Sequence, residues 1–554
     1  MVAQFKAATI PETKCTKSVG PTPNYPYVYQ TSNDILITNV LGILTEMDLV
    51  VWAGNPGSMF WKYSTPGNSY FDILDLPVNI TEADVALIQR NNIWFALIAY
   101  LNGTTPMLLV EQFNPGNQTW TQVSNTALGN GTACQTGIHI DSDQQEHFFI
   151  VFDQINAQGQ QKIFGAAGTF WNNSITLCMT NYEFPIFNDP TGTYTIDPPY
   201  YTPDVAIMDV PTIAGQQFSN PGKVKITFMA PTIGNPNSIS QICVSNDLVF
   251  SQYQNCAFTG PSVNLEYLKL ATGSNVFSHP RIARNRRNLS ISNVQEGYTV
   301  VWVGQDLQDF NIYGHTVFYD YVTQPGPWPK ILKTDNTYTD GSCYFHGSIS
   351  DVLPDISTYQ KSQPVVSYER KSGLVNPNSG QIMCIGFNYS DPNTNNWKSA
   401  CFYADNSDGR PVKTTFFNNY EYYTIQQNIS GNNFGISITG ELSESFIYSW
   451  MKQPTQPTGE AYYKVVTSGA DLRMIGSNNN YTEEMKSIVI ADDNFLPIEL
   501  NSVTKIITWI GAQGEIYAAN CGAEILDNKI PKGLSFIYYL NKNGQSERVK
   551  ILKL

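Results

Sequence analysis

Short runs of β-branched and aromatic residues recur along the whole chain, with polar residues gathered at the turns between them. Eight runs share one texture: LVVWAG (49–54), FALIAY (95–100), FFIVFD (148–153), ITFMAP (226–231), VVWVGQ (300–305), IMCIGF (382–387), FIYSWM (446–451) and IITWIG (506–511). Each is too short for a helix and too β-branched or aromatic, so each predicts a buried strand. A further strand precedes and follows each run, as in ADVALIQR, NIWFALIAY and MLLVEQF (83–113) or KSIVIADD, KIITWIG and EIYAANC (486–521). An eightfold three-strand repeat predicts stacked or radial units. The expected fold is all-β: a single β-propeller of seven or eight blades. A pair of β-sandwich domains is the competing architecture.

The ends differ in texture from the middle. Residues 1–32, rich in Pro, Thr and Lys, predict an extended N-terminal arm, with the propeller at 33–529. Residues 530–554 predict a C-terminal hairpin, GLSFIYYL and RVKILKL reversed at Asn543-Gly544, the strongest short hairpin signal in the chain. Arg548, Lys550 and Lys553 interleave there with Val549, Ile551, Leu552 and Leu554. A propeller must close its ring with a terminal strand, so the hairpin is expected either to lock the ring or to dock on a neighbouring subunit.

NPGSMFW (55–61), NPGNQTW (114–120) and DPNTNNW (391–397) share an Asn/Asp-Pro start and a Trp at the seventh position. Pro fixes φ, Asn or Asp starts the turn, and the Trp lands on a strand where its ring can cap the layer between blades. The motif resembles the aspartate-box turns of sialidase-type propellers but lacks their Ser-x-Asp-x-Gly core, so it does not imply sialidase chemistry. The order PRIAR, VVW, NIYG (280–314) resembles a bacterial-type propeller blade, which implies a fold and no particular reaction. The C-terminal hairpin resembles the sorting module of secreted Bacteroidetes proteins, a role that an N-terminus without an apolar leader segment speaks against.

Only 14% of residues are charged, well below the roughly 25% of an ordinary globular domain. The surface must be built from Asn, Gln, Ser, Thr and Tyr, a texture associated with extracellular or virion-surface proteins. The net charge of −14 disfavours nucleic acid, and no run of 18 apolar residues exists to insert as a membrane helix. Nine Asn-x-Ser/Thr sequons occur, at Asn79, Asn102, Asn117, Asn130, Asn172, Asn288, Asn388, Asn428 and Asn480; they imply glycans only on a eukaryotic secretory route.

No HExxH, GxSxG, Walker or GxGxxG motif occurs in the right context. No cofactor is expected. No metal site is expected either: no CxxC occurs, Asp141 and Asp143 of HIDSD (139–143) lack the further oxygen donors and placed Gly of a calcium loop, and ADNSDG (404–409) reads as an Asx-type turn. The nine cysteines offer two candidate disulfides, Cys384 with Cys401 across the DPNTNN turn and Cys243 with Cys256; buried thiols are the other reading. Arg281, Arg284, Arg286 and Arg287 read as a solvated turn, or as an anchor for a phosphate or carboxylate.

Innermost strands of a propeller line its axis, which makes His139, Asp141, Arg284, Tyr368 and Glu369 the candidate binding residues. The chain therefore reads as a non-enzymatic surface, virion or assembly protein that binds a protein partner or a glycan and is able to self-assemble. The alternative is a propeller glycoside hydrolase or lectin, with Asp141, Asp204, Asp209 and Glu369 as carboxylates.

Overall fold

A computed structural model describes residues 13–14, the run 31–207 apart from 41–42, 55 and 66–67, and beyond it the strands with short flanks from 212 to 553. All regular structure among the described residues is strand. The chain divides into two compact units: Met1–Ile37, Glu46–Tyr63 and Tyr70–Gly469 form one, and Thr38–Thr45, Ser64–Ser69 and Ala470–Leu554 the other.

Among the described residues, seven antiparallel sheets of four or five strands follow one another from residue 31 to 467, as a β-propeller requires. Their first strands are Thr31–Val40, Glu82–Arg90, Cys134–Ser142, Tyr201–Ile207, Ser278–Ser290, Lys361–Tyr368 and Asn432–Glu441, hereafter the inner strands of blades 1 to 7. All seven border a common cavity, so they stand around one axis.

The apolar runs found in the sequence are the second strands, and the reason for their continuity is geometric. Successive side chains of a strand point to opposite faces, and here each face packs on a different neighbour. Phe148, Ile150 and Phe152 join the layer with Phe95, Leu97 and Leu108 of blade 2. Phe149 and Val151 join the layer with Val224, Ile226 and Phe228 of blade 4. Blade 4 turns Met229, Ile242 and Val244 to Tyr298, Val300 and Trp302 of blade 5. Trp61, from the first Asn-Pro turn motif, packs on Phe113 of blade 2 with ring centroids 5.1 Å apart, so it does cap an inter-blade layer.

The eighth repeat takes another form. Lys486–Ile490 pairs in parallel with Ser546–Lys553, in a five-stranded sheet ordered Lys486–Ile490, Ser546–Lys553, Gly533–Asn541, Val503–Gly511, Ile516–Gly522. The expected division at 529/530 runs through this sheet. Ser546–Lys553 is paired on both edges, by Gly533–Asn541 and by Lys486–Ile490. The ring's last sheet is completed from the other terminus: Thr13–Lys14 pairs with Glu460–Thr467, Thr13 opposite Tyr463.

The disulfide expectations also change. Asp391 stands opposite Asn396, which puts Cys384 opposite Tyr403 and Cys401 opposite Gly386. The reversal is one residue later than a two-residue turn at 392–393 would make it, and register moves with it. Cys384 and Cys243 are buried thiols, not half-cystines. Cys178 is disulfide-bonded. Cys256 lies outside the described residues.

Candidate functional site

A cavity of about 120 Å³ lies on the axis, lined by short segments of all seven inner strands. His139, Asp141, Arg284 and Tyr368 all border it, as the axial argument required, while Glu369 lies outside the described residues. Bordering the cavity is one matter and facing a ligand another, and the hydrogen bonds separate the two.

The lining carboxylates hold neighbouring blades together. Asp34 Oδ2 accepts the backbone N–H of Leu87 at 2.7 Å, binding blade 1 to blade 2. Asp84 Oδ2 accepts from Ile140 at 3.0 Å, Asp141 Oδ2 from Ile207 at 2.8 Å, and Asp204 Oδ2 from Ile282 at 2.8 Å. Each carboxylate thus satisfies an N–H of the next inner strand, a group that would otherwise stand unpaired beside the axis. Neutral groups join the later seams among the described residues. The Tyr368 hydroxyl meets Thr299 Oγ1 at 2.5 Å, and Ser367 Oγ accepts from Gly440 N at 2.8 Å. Between blades 7 and 1, Asn33 Nδ2 donates to Ser437 O at 2.9 Å and Thr439 Oγ1 donates to Asn33 O at 2.9 Å.

This bonding reassigns the expected site residues. Asp141 accepts from Ile207 N and from its neighbour Ser142 N, one bond on each oxygen. Asp143 caps the turn that follows the strand, accepting from the N–H groups of Gln145, Glu146 and His147. Arg284 points into blade 4, where it bonds Lys223 O at 3.0 Å and pairs with Asp247 at 3.1 Å. Lys225 pairs with the same carboxylate, also at 3.1 Å. Burial alone would raise Asp247, but Arg284, Lys225 and Lys223 hold it far below the usual carboxylate range. The four arginines are not in a turn: all lie on Ser278–Ser290, a single 13-residue strand. The anchoring reading holds for Arg284, with an internal carboxylate as its anion.

What faces the lumen is a smaller group around His139. Arg281 Nη1 lies 2.6 Å from His139 Nε2. A guanidinium has no acceptor, so Arg281 donates, and the ring's other nitrogen carries the hydrogen that faces Asp84 Oδ2 at 3.2 Å. Asp204 Oδ1 stands 3.9 Å from the same nitrogen. Asp84 is saturated: Oδ1 also takes the Ser32 hydroxyl at 2.5 Å and Val85 N at 3.0 Å. Asp204 Oδ1, by contrast, accepts no hydrogen bond among the described residues, and neither does the buried amide oxygen of Asn33.

The two carboxyls also titrate apart. Burial works against the charge of Asp84, but the His139 contact, the Ser32 hydroxyl and Ile140 N–H hold it below its ordinary range. Burial raises Asp204, only partly offset by His139 and Arg281. Burial likewise raises Glu82, whose Oε1 reaches Ile138 N at 3.4 Å. Sequence reasoning missed Asp84 and Arg281 as site members and placed Asp204 only among possible hydrolase carboxylates. One signal was available: Asp34-Ile35-Leu36, Asp84-Val85-Ala86 and Asp204-Val205-Ala206 repeat an Asp-β-branched-aliphatic start on three inner strands.

No family model and no curated protein matches the chain. Solved structures with partial likeness include AofleA of Arthrobotrys oligospora, at 10% identity over 73% of this chain and 90% of that one, with a TM-score of 0.34. The β-propeller domain of the trilobed protease of Pyrococcus furiosus aligns at 7% identity over 80% and 99%, with a TM-score of 0.33. An α-L-arabinofuranosidase of Fusarium graminearum in complex with arabinobiose aligns at 9% identity over 82% and 98%, with a TM-score of 0.33.

Proposed function

We propose that the chain is a non-catalytic binding protein on a propeller scaffold, whose axial cavity receives a small hydroxyl-bearing group such as the end of a sugar. The observation that carries this is the division of labour among the carboxylates. All four aspartates hold neighbouring blades, but Asp204 keeps its Oδ1 3.9 Å from His139 Nδ1 while the Arg281 guanidinium sits on the ring's other nitrogen, which sets an acceptor and a donor about one imidazole. A hydroxyl both donates and accepts, so neighbouring hydroxyls match that pair. The cavity is also small against the roughly 300–1,000 Å³ of sites that enclose a whole drug-sized ligand. It suits a terminal group more than a chain.

A second reading, glycoside hydrolysis, has one observation of its own. Asp84 and Asp204 titrate in opposite directions around one imidazole, the pattern of a base and an acid. Their oxygens can be no farther apart than the sum of their 3.2 and 3.9 Å distances to His139 Nδ1, below the roughly 10 Å limit for such pairs. Against it, a base needs an available lone pair, and Asp84 accepts four hydrogen bonds.

The test is a glycan array together with a panel of chromogenic glycosides, run on the full chain and on Asp204→Asn and Arg281→Ala. Binding without turnover, weakened in both variants, is the expected result. Turnover abolished by Asp204→Asn would replace this reading with the hydrolase.

A further inference from the structure

A second pocket, of about 710 Å³, lies away from the axis on the rim of blades 2 and 3. We propose that it is a binding site for a neutral carbohydrate of one or two rings, separate from the axial cavity. Two tight turns build it. Arg90 pairs with Ile93 and Trp171 with Ser174, so Asn91-Asn92 and Asn172-Asn173 are two-residue hairpin loops. All four asparagines have positive φ, between 49° and 64°, as primed hairpin turns require. Asn91 Nδ2 donates to Asn173 Oδ1 at 3.0 Å, fastening one turn to the other.

The chemistry displayed there fits a sugar. Trp171 is 47% exposed, a large aromatic face held open at a rigid hairpin end. Such a face stacks on the C–H face of a pyranose, while its surroundings supply the polar contacts. Arg90 lies over the Phe170 ring at 5.9 Å and pairs with Glu146, itself only 8% exposed. This fixes a donor and an acceptor side by side with their charges cancelled. The asparagine amides add further donors and acceptors. Cancelled charge speaks against a phosphate or carboxylate ligand, and the volume lies within the range of small-molecule sites.

The experiment uses full-length protein made in bacteria, so that the Asn172 sequon carries no glycan. Wild type, Trp171→Ala, Trp171→Phe and Asp204→Asn are compared on an array of mono- to tetrasaccharides, and array binders are titrated calorimetrically. Expected is a class of binders that loses about tenfold or more in affinity with Trp171→Ala and less with Trp171→Phe, distinct from any class weakened by Asp204→Asn. Thermal melting of Trp171→Ala should match wild type, because the side chain lies at an exposed hairpin end. An array with no binders overturns the proposal, as does unchanged affinity in Trp171→Ala. Loss confined to Asp204→Asn also overturns it and assigns the sugar to the axial cavity, so the two sites stand or fall separately.

Discussion

Aspartates that look like ligands in sequence are joints in the fold. Asp34 shows this most simply, since its Oδ2 serves the amide of Leu87 on the next blade. Asp34→Ala should lower stability by about 1–3 kcal/mol, because a buried N–H is left without an acceptor. Asp34→Asn keeps an oxygen there and should lose much less; equilibrium denaturation of the two variants checks the difference. Glu111 gives the second residue-scale expectation. It is 2% exposed on the third strand of blade 2, and burial pushes its carboxyl up to about 7 from 4.5. The folded protein therefore keeps a proton that the unfolded chain gives up near pH 4.5. Stability from this group is complete below pH 4.5 and falls as pH rises to about 7. Glu111→Gln should flatten that decline and stabilise the protein at pH 8 by about 1–2 kcal/mol, read from melts across pH. None of this was legible locally. The partners of Asp34, Asp84, Asp141 and Asp204 lie 53, 56, 66 and 78 residues downstream, so a spent carboxylate and an available one look alike in sequence.

At the scale of elements, the second strands were readable because both of their faces are buried, which makes runs such as Phe95–Leu101 and Phe148–Phe152 continuously apolar. Their packing also dictates glycine on the strand beside them. Gly168 stands opposite Phe148, and a Cβ there would run into that ring and come within 2.6 Å of Thr176 O. The second obstacle is backbone and cannot rotate away. Gly168→Ala should cost about 1–3 kcal/mol, measured by denaturation. The last repeat was misread for a related reason. Its strands carry the same apolar texture as a blade, but texture reports burial and not partner. Lys486–Ile490 finds its partner some sixty residues on, in parallel, a pairing no local pattern announces.

For the whole molecule, two termini have two jobs. The ring's final sheet takes its outer strand from Thr13–Lys14, and the C-terminal strands form their own sheet. Removing residues 1–30 should lower the melting temperature by several degrees, since blade 7 loses its outer partner. Removing 470–554 should leave the ring's cooperative transition in place, and calorimetry of the two truncations tests the contrast. Loss of the ring transition in the second truncation would show that the C-terminal sheet supports it after all. The overall class was legible because repetition survives sequence drift better than any motif. Closure was not, because a two-residue strand has no periodicity to detect.

The seams are not alike around the ring, and that has a kinetic consequence. Five successive inner strands are joined at four seams by a carboxylate to a backbone amide, and charge-assisted bonds of this kind are roughly twice as strong as neutral ones. The joint between the last blade and the first relies on an asparagine amide and hydroxyls. A closed ring opens first at its weaker joints, so breathing should begin at the seams held by neutral groups, from blade 5 through blade 7 to blade 1, and not at the carboxylate seams. In deuterated water the amides of Leu87, Ile140, Ile207 and Ile282 should then exchange last, at the rate of complete unfolding, while amides beside Asn33 and Ser437 exchange well ahead of them.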